Sequence, residues 1–308
     1  MGLLLDSRSG RLVALSAHTV VGRSPACSLV LDDLCASAEH AAIVWSGERW
    51  EVRDLGSRNG TWLDGRRIAA GERAPLRTDA RLAFGGGGEW LLADDRGAGP
   101  AARNEANGEI VHSTTGLLAL PSADDPQATI YRAADGRWLI ELGAELRTIP
   151  DRAQLDLAGT AWSLFLPSEL GPVPTTAKAE DSPVALAEVS LWFAPSLDEE
   201  HVDVRARTDD GKEWLLPPRS SHYVLLTLAR LRLADTRSGI VPEEQGWIYA
   251  SSLADMLHYT LERLNLEIFR ARSLFAKLGF ADATHLIERR TVNRQLRIGL
   301  ANLHVARL

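Results

Sequence analysis

Three short motifs in the first hundred residues carry the side chains best suited to binding chemistry. They are Gly22-Arg23-Ser24, Ser37-Ala38-Glu39-His40 and Ser57-Arg58-Asn59-Gly60-Thr61. Arg23 offers a planar, permanently charged fork and Ser37 offers a hydroxyl, two groups that bind a phosphate dianion well. The side-chain amide of Asn59 has both a donor and an acceptor, which suits it to holding a peptide backbone. These residue types indicate a site for a phosphorylated peptide.

The segments between these motifs predict the scaffold that must position them. Residues 1–95 contain brief apolar or alternating runs separated by glycines at hairpin spacing, and no window sustains a helical period. This pattern is typical of an all-β sandwich. We therefore expect the motifs to lie on loops that the strands hold in place, with Gly60 supplying a backbone angle that other residues adopt less readily.

The spacing of the motifs resembles the signature of the forkhead-associated (FHA) family over roughly residues 3–94. Gly-Arg is followed after about 14 residues by Ser-x-x-His, and after about 19 more by Asn-Gly-Thr. The resemblance implies a β-sandwich that binds phosphothreonine peptides. It implies peptide contacts for the following residues: Arg23, Ser37, Arg58, Asn59 and Thr61. It gives Gly22, His40 and Gly60 structural roles, with His40 forming hydrogen bonds between loops.

One position departs from the family pattern. Family members often have Arg or Lys directly after the binding serine, whereas this chain has Ala38 followed by the acidic Glu39. Losing one cation removes about 1–3 kcal/mol of charge-assisted hydrogen bonding. The alternative to a competent phosphothreonine site is therefore a retained fold with a weakened site.

The middle of the chain predicts a second, smaller β-module and a linker. Residues 96–104 form an Ala/Gly/Arg/Pro connector, and residues 105–168 are again strand-like, with a faint repeat of the first domain. The second segment lacks all three motifs, so we interpret it as a degenerate FHA-like module with a spacer or packing role. Residues 169–187 are rich in Pro and polar residues and are predicted to be a linker.

The remaining residues, 188–308, predict an α+β winged helix-turn-helix domain. Strands over 188–218 precede predicted helices at 220–233, 251–258 and 260–278, the last closed by Gly279, and a hairpin follows at 285–299. The string from Leu264 to Phe275 resembles the recognition helix of response-regulator output domains. The string from Ile287 to Arg297 resembles their wing.

Helical geometry separates a core stripe of the third helix from a polar face. The candidate DNA contacts are Arg263, Glu267, Arg270, Ser273 and Lys277 on that face, and Arg289, Arg290 and Arg294 in the hairpin. Arginines on such a face suit a major groove, and those of a wing suit the backbone or minor groove. Arg272 lies on the core side, so an internal salt bridge is expected. The alternative is a solvated face or a surface for a protein partner.

The net charge of −7 is unevenly distributed along the chain. Residues 1–95 carry −2, residues 96–211 carry −10 and residues 212–308 carry +5. The basic last segment permits a nucleic-acid partner that the overall charge seemed to exclude. Cys27 and Cys35 are too few for a disulfide framework or a zinc site. The sequence shows no signal peptide and no stretch long enough to span a bilayer, so we expect a cytoplasmic protein without a membrane partner.

Together these features predict a signalling protein, and no enzyme, cofactor or metal site is expected because no catalytic or metal-ligand motif is present. In the leading hypothesis a phosphothreonine-containing protein, such as a Ser/Thr kinase or its substrate, docks on the first domain and the winged helix binds double-stranded DNA. In the alternative the chain is a phospho-dependent adaptor whose winged helix binds protein. A further speculation has Thr175 or Thr176 phosphorylated and captured by the chain's own first domain.

Overall fold

The structure is a computed structural model that describes residues 2–113, 115–167, 184–197, 201–280, 282–290 and 293–306. The chain divides into two compact units, Met1–Gly116 with Pro150–Pro174 and Leu117–Ile149 with Thr175–Leu308. Among the described residues, no helix is both long and apolar enough to cross a membrane.

Two sheets of the first unit enclose one hydrophobic core. In spatial order the first sheet contains β2 (Leu12–Ala14), β1 (Gly2–Asp6), β11 (Glu89–Asp95), β10 (Arg81–Phe84), β7 (Thr61–Leu63) and β8 (Arg66–Arg67). The second contains β4 (Leu29–Val30), β3 (His18–Gly22), β5 (Ala41–Trp45), β6 (Trp50–Asp54) and β9 (Arg73–Pro75). Their inward faces bury Ile43, Trp50, Leu82 and Phe84. Alternation along β6 buries Trp50, Val52 and Asp54 in turn, as the period of a strand requires.

The prediction of one β-module over residues 105–168 is corrected by the structure. A four-stranded sheet of the first unit contains β13 (Ile110–His112), β12 (Ala101–Asn104), β19 (Thr160–Phe165) and β18 (Gln154–Leu157). The sequence between them belongs to the second unit, because Leu117, Ala119 and Tyr131 join that unit's hydrophobic core. β12 pairs with β19, so both ends of the predicted module lie in one sheet of the first unit, whereas its middle belongs to the second unit. A faint sequence repeat cannot reveal this pairing.

The second unit combines three sheets with three helices. One sheet contains β14 (Leu118–Pro121), β15 (Pro126–Arg132), β16 (Trp138–Leu142) and β17 (Glu145–Thr148). Another contains β22 (Glu213–Leu215), β21 (Val202–Thr208), β20 (Val189–Pro195) and β26 (Leu303–Val305). The third contains β23 (Ile248–Tyr249), β25 (Gln295–Ile298) and β24 (Ile287–Arg289). The helices are α1 (Ser221–Arg237), α2 (Ala250–Met256) and α3 (Leu261–Lys277).

The helices lie close to their predicted positions, and both ends of α3 carry clear signals. The hydroxyl of Thr260 accepts a hydrogen bond from the backbone N–H of Arg263 at 3.2 Å and caps α3. Gly279, at φ 95°, follows the helix where a left-handed residue is needed. Leu264, Ile268 and Phe275 of α3 are buried in the core of the unit.

Three sequence predictions fall partly or wholly on residues that the structure does not describe. Most of the predicted linker, residues 169–183, lies outside the described residues, as do Thr175 and Thr176. The described end of that linker includes a short 3-10 turn at Leu186–Glu188. Thr291 and Val292 of the predicted wing also lie outside the described residues.

Candidate functional site

The three motifs of the first unit meet where the loops after β3, β4 and β6 are joined by hydrogen bonds. The backbone N–H of Arg23 donates to the carbonyl of Ser37, and that of Ser24 to the carbonyl of Ala38, both at 2.9 Å. The backbone N–H of Arg58 donates to the Ser37 hydroxyl at 3.0 Å. Residues that are 14 and 21 positions apart in the sequence are thereby fixed beside one another.

His40 holds these loops from beneath and is fully buried. Its Nδ1 accepts the backbone N–H of Ser37 at 3.0 Å, and its Nε2 lies 3.1 Å from the carbonyl oxygen of Gly60. Because Nδ1 is an acceptor, the ring is the neutral tautomer that carries its proton on Nε2 and donates to Gly60. The imidazole therefore links the loop that carries Ser37 to the loop that carries Asn59.

Glycine is required at Gly22 and Gly60 for different reasons. A Cβ at Gly22 would overlap the carbonyl oxygen of Ala38, so a side chain would separate the first two loops. Gly60 has φ +83°, in the left-handed region, and a Cβ there would overlap the Nε of Arg67. Both glycines maintain close approaches at the site.

Asp54, at the end of β6, forms a buried latch for the loop that follows it. Its carboxylate accepts hydrogen bonds from the hydroxyls of Ser57 and Thr61, each at 2.6 Å, and from the backbone N–H groups of Gly56 and Ser57. Burial alone raises the pKa of this carboxyl, but the hydrogen bonds from Ser57 and Thr61 outweigh it and hold the pKa below its usual range. The charged carboxylate thereby fixes residues 56–61.

Three side chains project from these loops toward solvent. Arg23, Arg58 and Asn59 are exposed, and the structure records no ion pair for either guanidinium among the described residues. The Asn59 Nδ2 donates to the carbonyl of Cys35 at 2.9 Å, which leaves Oδ1 free to accept a hydrogen bond. With the half-buried Ser37 between them, the loops present two cations, a hydroxyl and an amide. Such a set can bind an anionic group attached to a peptide.

Comparison with known proteins identifies the fold of this region. Residues 19–85 match the family model described as FHA domain. These residues form an FHA domain. The match encloses all three motifs, so the FHA domain contains the loops described above.

Curated relatives match part of this chain. The FHA domain-containing protein FhaB of Mycobacterium tuberculosis is 40% identical over 75 residues, covering 24% of this chain and 48% of FhaB. The oxoglutarate dehydrogenase inhibitor of Corynebacterium jeikeium is 41% identical over 46 residues, covering 15% of this chain and 32% of the inhibitor. The chain spans about half the length of the FhaB proteins that it matches.

One solved structure similar to the FHA domain is Mycobacterium tuberculosis EmbR in complex with a low-affinity phosphopeptide. It is 30% identical, covers 31% of this chain and 25% of EmbR, and has a TM-score of 0.29.

The geometry of the FHA domain places Thr61 differently from the sequence-based expectation. Thr61 is fully buried and its hydroxyl donates to Asp54, so it supports the loop from inside and does not face a ligand. Sequence reasoning missed Asp54, although strand alternation marks it, because Trp50 and Val52 put Asp54 on the inward face of β6. It also missed Arg67, which lies over Gly60 and has no motif to mark it.

One buried acid changes the charge that the predicted polar face of α3 presents. Glu267 is buried, which corrects its assignment as a DNA contact. Its carboxylate pairs with Arg263 at 2.8 Å and Arg270 at 3.2 Å, and accepts the hydroxyl proton of Ser220 at 2.8 Å. The two exposed arginines are therefore partly neutralised by an acid that holds α3 against the start of α1. Lys277 is exposed, whereas Ser273 is half-buried and its Oγ has no hydrogen-bond partner among the described residues.

The arginines of the C-terminal hairpin differ in accessibility. The side chain of Arg289 is only 2% exposed and lies 3.2 Å from Glu141, which corrects its assignment as a DNA contact. Arg290 pairs with Glu244 at 2.8 Å and covers the ring of Trp247. Arg294 is exposed and pairs with Glu145 at 2.7 Å. All three wing cations are therefore engaged by groups of their own unit.

A buried polar cluster explains the position of Arg289. Glu141 on β16 pairs with Arg272 of α3 at 2.9 Å and accepts the Tyr131 hydroxyl proton at 2.8 Å. Burial raises the pKa of Glu141, but the Arg272 and Arg289 guanidinium groups outweigh it and lower the pKa. The expected internal salt bridge of Arg272 is confirmed, and its partner comes from the β14–β17 sheet.

The charged residues described here are not arranged for metal binding. Among the described residues, no group of three or more His, Cys, Asp or Glu side chains is placed to hold a metal ion. Cys27 and Cys35 are free.

Proposed function

We propose that the FHA domain binds a phosphothreonine-containing peptide of a partner protein. The observation that carries this proposal is the backbone pairing of Arg23 with Ser37, which brings an exposed arginine that has no ion pair among the described residues next to a half-buried serine. Arg23 donates charge-assisted hydrogen bonds to the phosphate, Ser37 donates its hydroxyl proton, and Asn59 holds the peptide backbone. The similarity to FHA domains supports the same chemistry.

Peptide binding tests this proposal directly. The full-length protein is titrated with a fluorescent peptide in its phosphothreonine and unphosphorylated forms. We expect saturable binding of the phosphorylated form alone, its loss in Arg23→Ala, and unchanged binding in the control Arg77→Ala, which removes an exposed arginine outside the three motifs. Equal binding of the two peptide forms by the wild-type protein would contradict the proposal.

The strand and helix order of the second unit supports a winged-helix arrangement. The elements α1, β23, α2, α3, β24 and β25 follow one another, and the sheet order β23-β25-β24 places the β24–β25 hairpin beside the first short strand. In such an arrangement α3 occupies the position of a recognition helix and the hairpin that of a wing.

The contacts of α3 and the hairpin favour the adaptor over the DNA-binding regulator. Of the eight predicted DNA contacts, Glu267 and Arg289 have buried side chains, and Arg263, Arg270, Arg290 and Arg294 each pair with an acid. The β14–β17 sheet also packs on the apolar side of α3, and its acids pair with Arg289 and Arg294 of the hairpin. We infer that the chain is a phospho-dependent adaptor whose second unit binds protein.

A DNA titration separates the two functions. Binding of the full-length protein to mixed double-stranded genomic fragments is measured by fluorescence anisotropy at low and physiological salt. A DNA-binding regulator loses affinity steeply as salt rises, through counterion release. We expect no saturable binding at either salt concentration, and saturable, salt-sensitive binding that Arg270→Gln weakens would restore the DNA-binding hypothesis.

We also propose a cytoplasmic location, which the two cysteines support. Cys27 is buried and Cys35 exposed, and both are free thiols. Free thiols are usual in reducing compartments.

A further inference from the structure

Arg67 is a cation beside the peptide site that pairs with no acid in the part of its unit that the structure describes. Its side chain is exposed, and the structure records no ion pair or hydrogen bond for its guanidinium among the described residues. A Cβ at Gly60 would lie 2.9 Å from both Cζ and Nη2 of Arg67, so the guanidinium covers that glycine. The neighbouring Arg66, by contrast, pairs with Glu72 at 2.8 Å. The guanidinium of Arg67 therefore presents a positive charge over Gly60, the residue that follows Asn59.

An exposed tryptophan continues this surface away from the loops. Trp62 is the cross-strand partner of Arg67 in the β7–β8 hairpin, and Ala83 is its partner on the other side. These three residues therefore share the outer face of the sheet. Trp62 is 36% exposed, which is unusual for so large an apolar side chain.

A surface groove lies beside Trp62. The groove encloses about 680 Å³ and is lined by Trp62, Ala83, Gly86 and Gly87, among others. The loop that carries Gly86 and Gly87 is attached to the site, because the backbone N–H of Gly85 donates to the carbonyl of Gly60 at 3.0 Å. The charged residues that line its other end leave one negative charge in excess: Arg81 pairs with Glu89, and among the described residues the Asp64 carboxylate accepts only the backbone N–H of Arg81.

We propose that the phosphopeptide continues from Asn59 over Gly60 onto the surface formed by Trp62 and Arg67. The FHA domain then takes phosphothreonine peptides that also carry an acidic residue for Arg67 and an apolar residue for Trp62. An extended peptide covers the three-residue distance from Asn59 to Trp62, on the order of 10 Å, in about three residues. This inference rests on the proposed function, because the phosphate anchors the peptide at Arg23 and Ser37.

The test compares a long and a short phosphopeptide on the full-length protein. The long probe has 15 residues with a central phosphothreonine and Glu-Leu-Glu at positions three to five on both sides. The short probe keeps the phosphothreonine and two residues on each side. We expect Arg67→Gln to weaken the long probe about 5- to 20-fold, as loss of one charge-assisted contact does, and the short probe less than about twofold. Trp62→Ala should likewise lower the affinity for the long probe and leave the affinity for the short probe nearly unchanged.

Matched variants and probes make each outcome decisive. Arg66→Gln removes the adjacent arginine, which already pairs with Glu72, and should leave both affinities unchanged. Replacing both glutamates of each flank with lysine should lower wild-type affinity for the long probe and abolish the effect of Arg67→Gln. Unchanged long-probe affinity in Arg67→Gln overturns the inference.

Two other results would also overturn the inference that the peptide continues onto Trp62 and Arg67, for different reasons. Equal weakening of the long and short probes by Arg67→Gln would mean that Arg67 only shapes the Gly60 loop. Wild-type protein that binds neither probe in a phosphate-dependent way would contradict the proposed function as well. Thermal unfolding of each variant reports separately whether the FHA domain is still folded.

Discussion

Glu141 and Arg272 are 131 positions apart in the sequence and form an ion pair of 2.9 Å in the interior of the second unit. Arg289 also approaches the same carboxylate, so one acid compensates two buried guanidinium groups. The cluster fastens α3 and the C-terminal hairpin to the β14–β17 sheet. It therefore places the sheet against the hairpin that the sequence predicted to contact DNA.

Replacing Glu141 should strongly destabilise the second unit. In Glu141→Gln the two arginines remain buried without their counter-ion, and breaking a buried pair in this way costs about 3–5 kcal/mol. Thermal or urea unfolding followed by tryptophan fluorescence measures the loss. The control is Glu145→Gln, whose exposed pair with Arg294 should contribute less than about 1 kcal/mol. Similar losses in the two variants would show that burial of the cluster does not determine its contribution.

The Asp54 latch predicts an acid-dependent loss of stability in the first unit. Because the folded state lowers the pKa of Asp54, its contribution is fully present above the unfolded-state value of about 4 and is lost as pH falls through the folded-state value. Asp54→Asn should lower the free energy of unfolding by about 1–3 kcal/mol at pH 7 and reduce its dependence on acid. Urea unfolding between pH 3 and pH 7 measures both effects.

Asp79→Asn is the matched control for that series. Asp79 is exposed and has a positive φ, which asparagine tolerates, so this variant should retain the acid dependence of the wild type. An unaltered pH profile in Asp54→Asn would contradict the role given to the latch.

Ala38 offers a gain-of-affinity prediction. Its side chain is exposed beside Ser37, and an arginine there can add a charge-assisted hydrogen bond to the bound phosphate. Ala38→Arg should strengthen phosphothreonine-peptide binding about tenfold, which corresponds to about 1.4 kcal/mol. Isothermal titration calorimetry measures the change, with the exposed Ala106→Arg as control. Equal gains in both variants would indicate only a general charge effect.

His40 should contribute to both stability and binding because it connects two loops. His40→Ala removes the acceptor for the Ser37 N–H and the donor to Gly60, and should destabilise the first unit by about 1–3 kcal/mol. Phosphopeptide affinity should also fall, since Ser37 and Asn59 lose their common support. Calorimetric unfolding and peptide titration test this, and the exposed His18→Ala should leave both quantities unchanged. A stable variant with wild-type affinity would contradict the structural role of His40.

Several features of this chain could be predicted because their causes are local. Glycine-bounded alternating runs predicted the strands of residues 1–95, and Gly279 as a C-cap predicted the end of α3. Arg23, Ser37 and Asn59 stood in motifs whose spacing was enough to predict an FHA domain, which is confirmed over residues 19–85.

Other features depend on contacts between distant residues. The sequence placed Thr61 among the ligand contacts, but the direction of its side chain is set by Asp54 on the inward face of β6. It gave no signal that Arg67 would lie over Gly60, since that contact requires the β7–β8 hairpin to fold back on the loop.

The sequence by itself was enough to predict the fold of residues 19–85, because local periodicity and motif spacing encode it. Only the tertiary structure decided that residues 117–149 join the second unit and that Arg289 is buried against Glu141. The reason is physical. Charge and amphipathic pattern show which face of α3 is polar, but long-range packing decides which of the charged side chains are buried, paired or accessible.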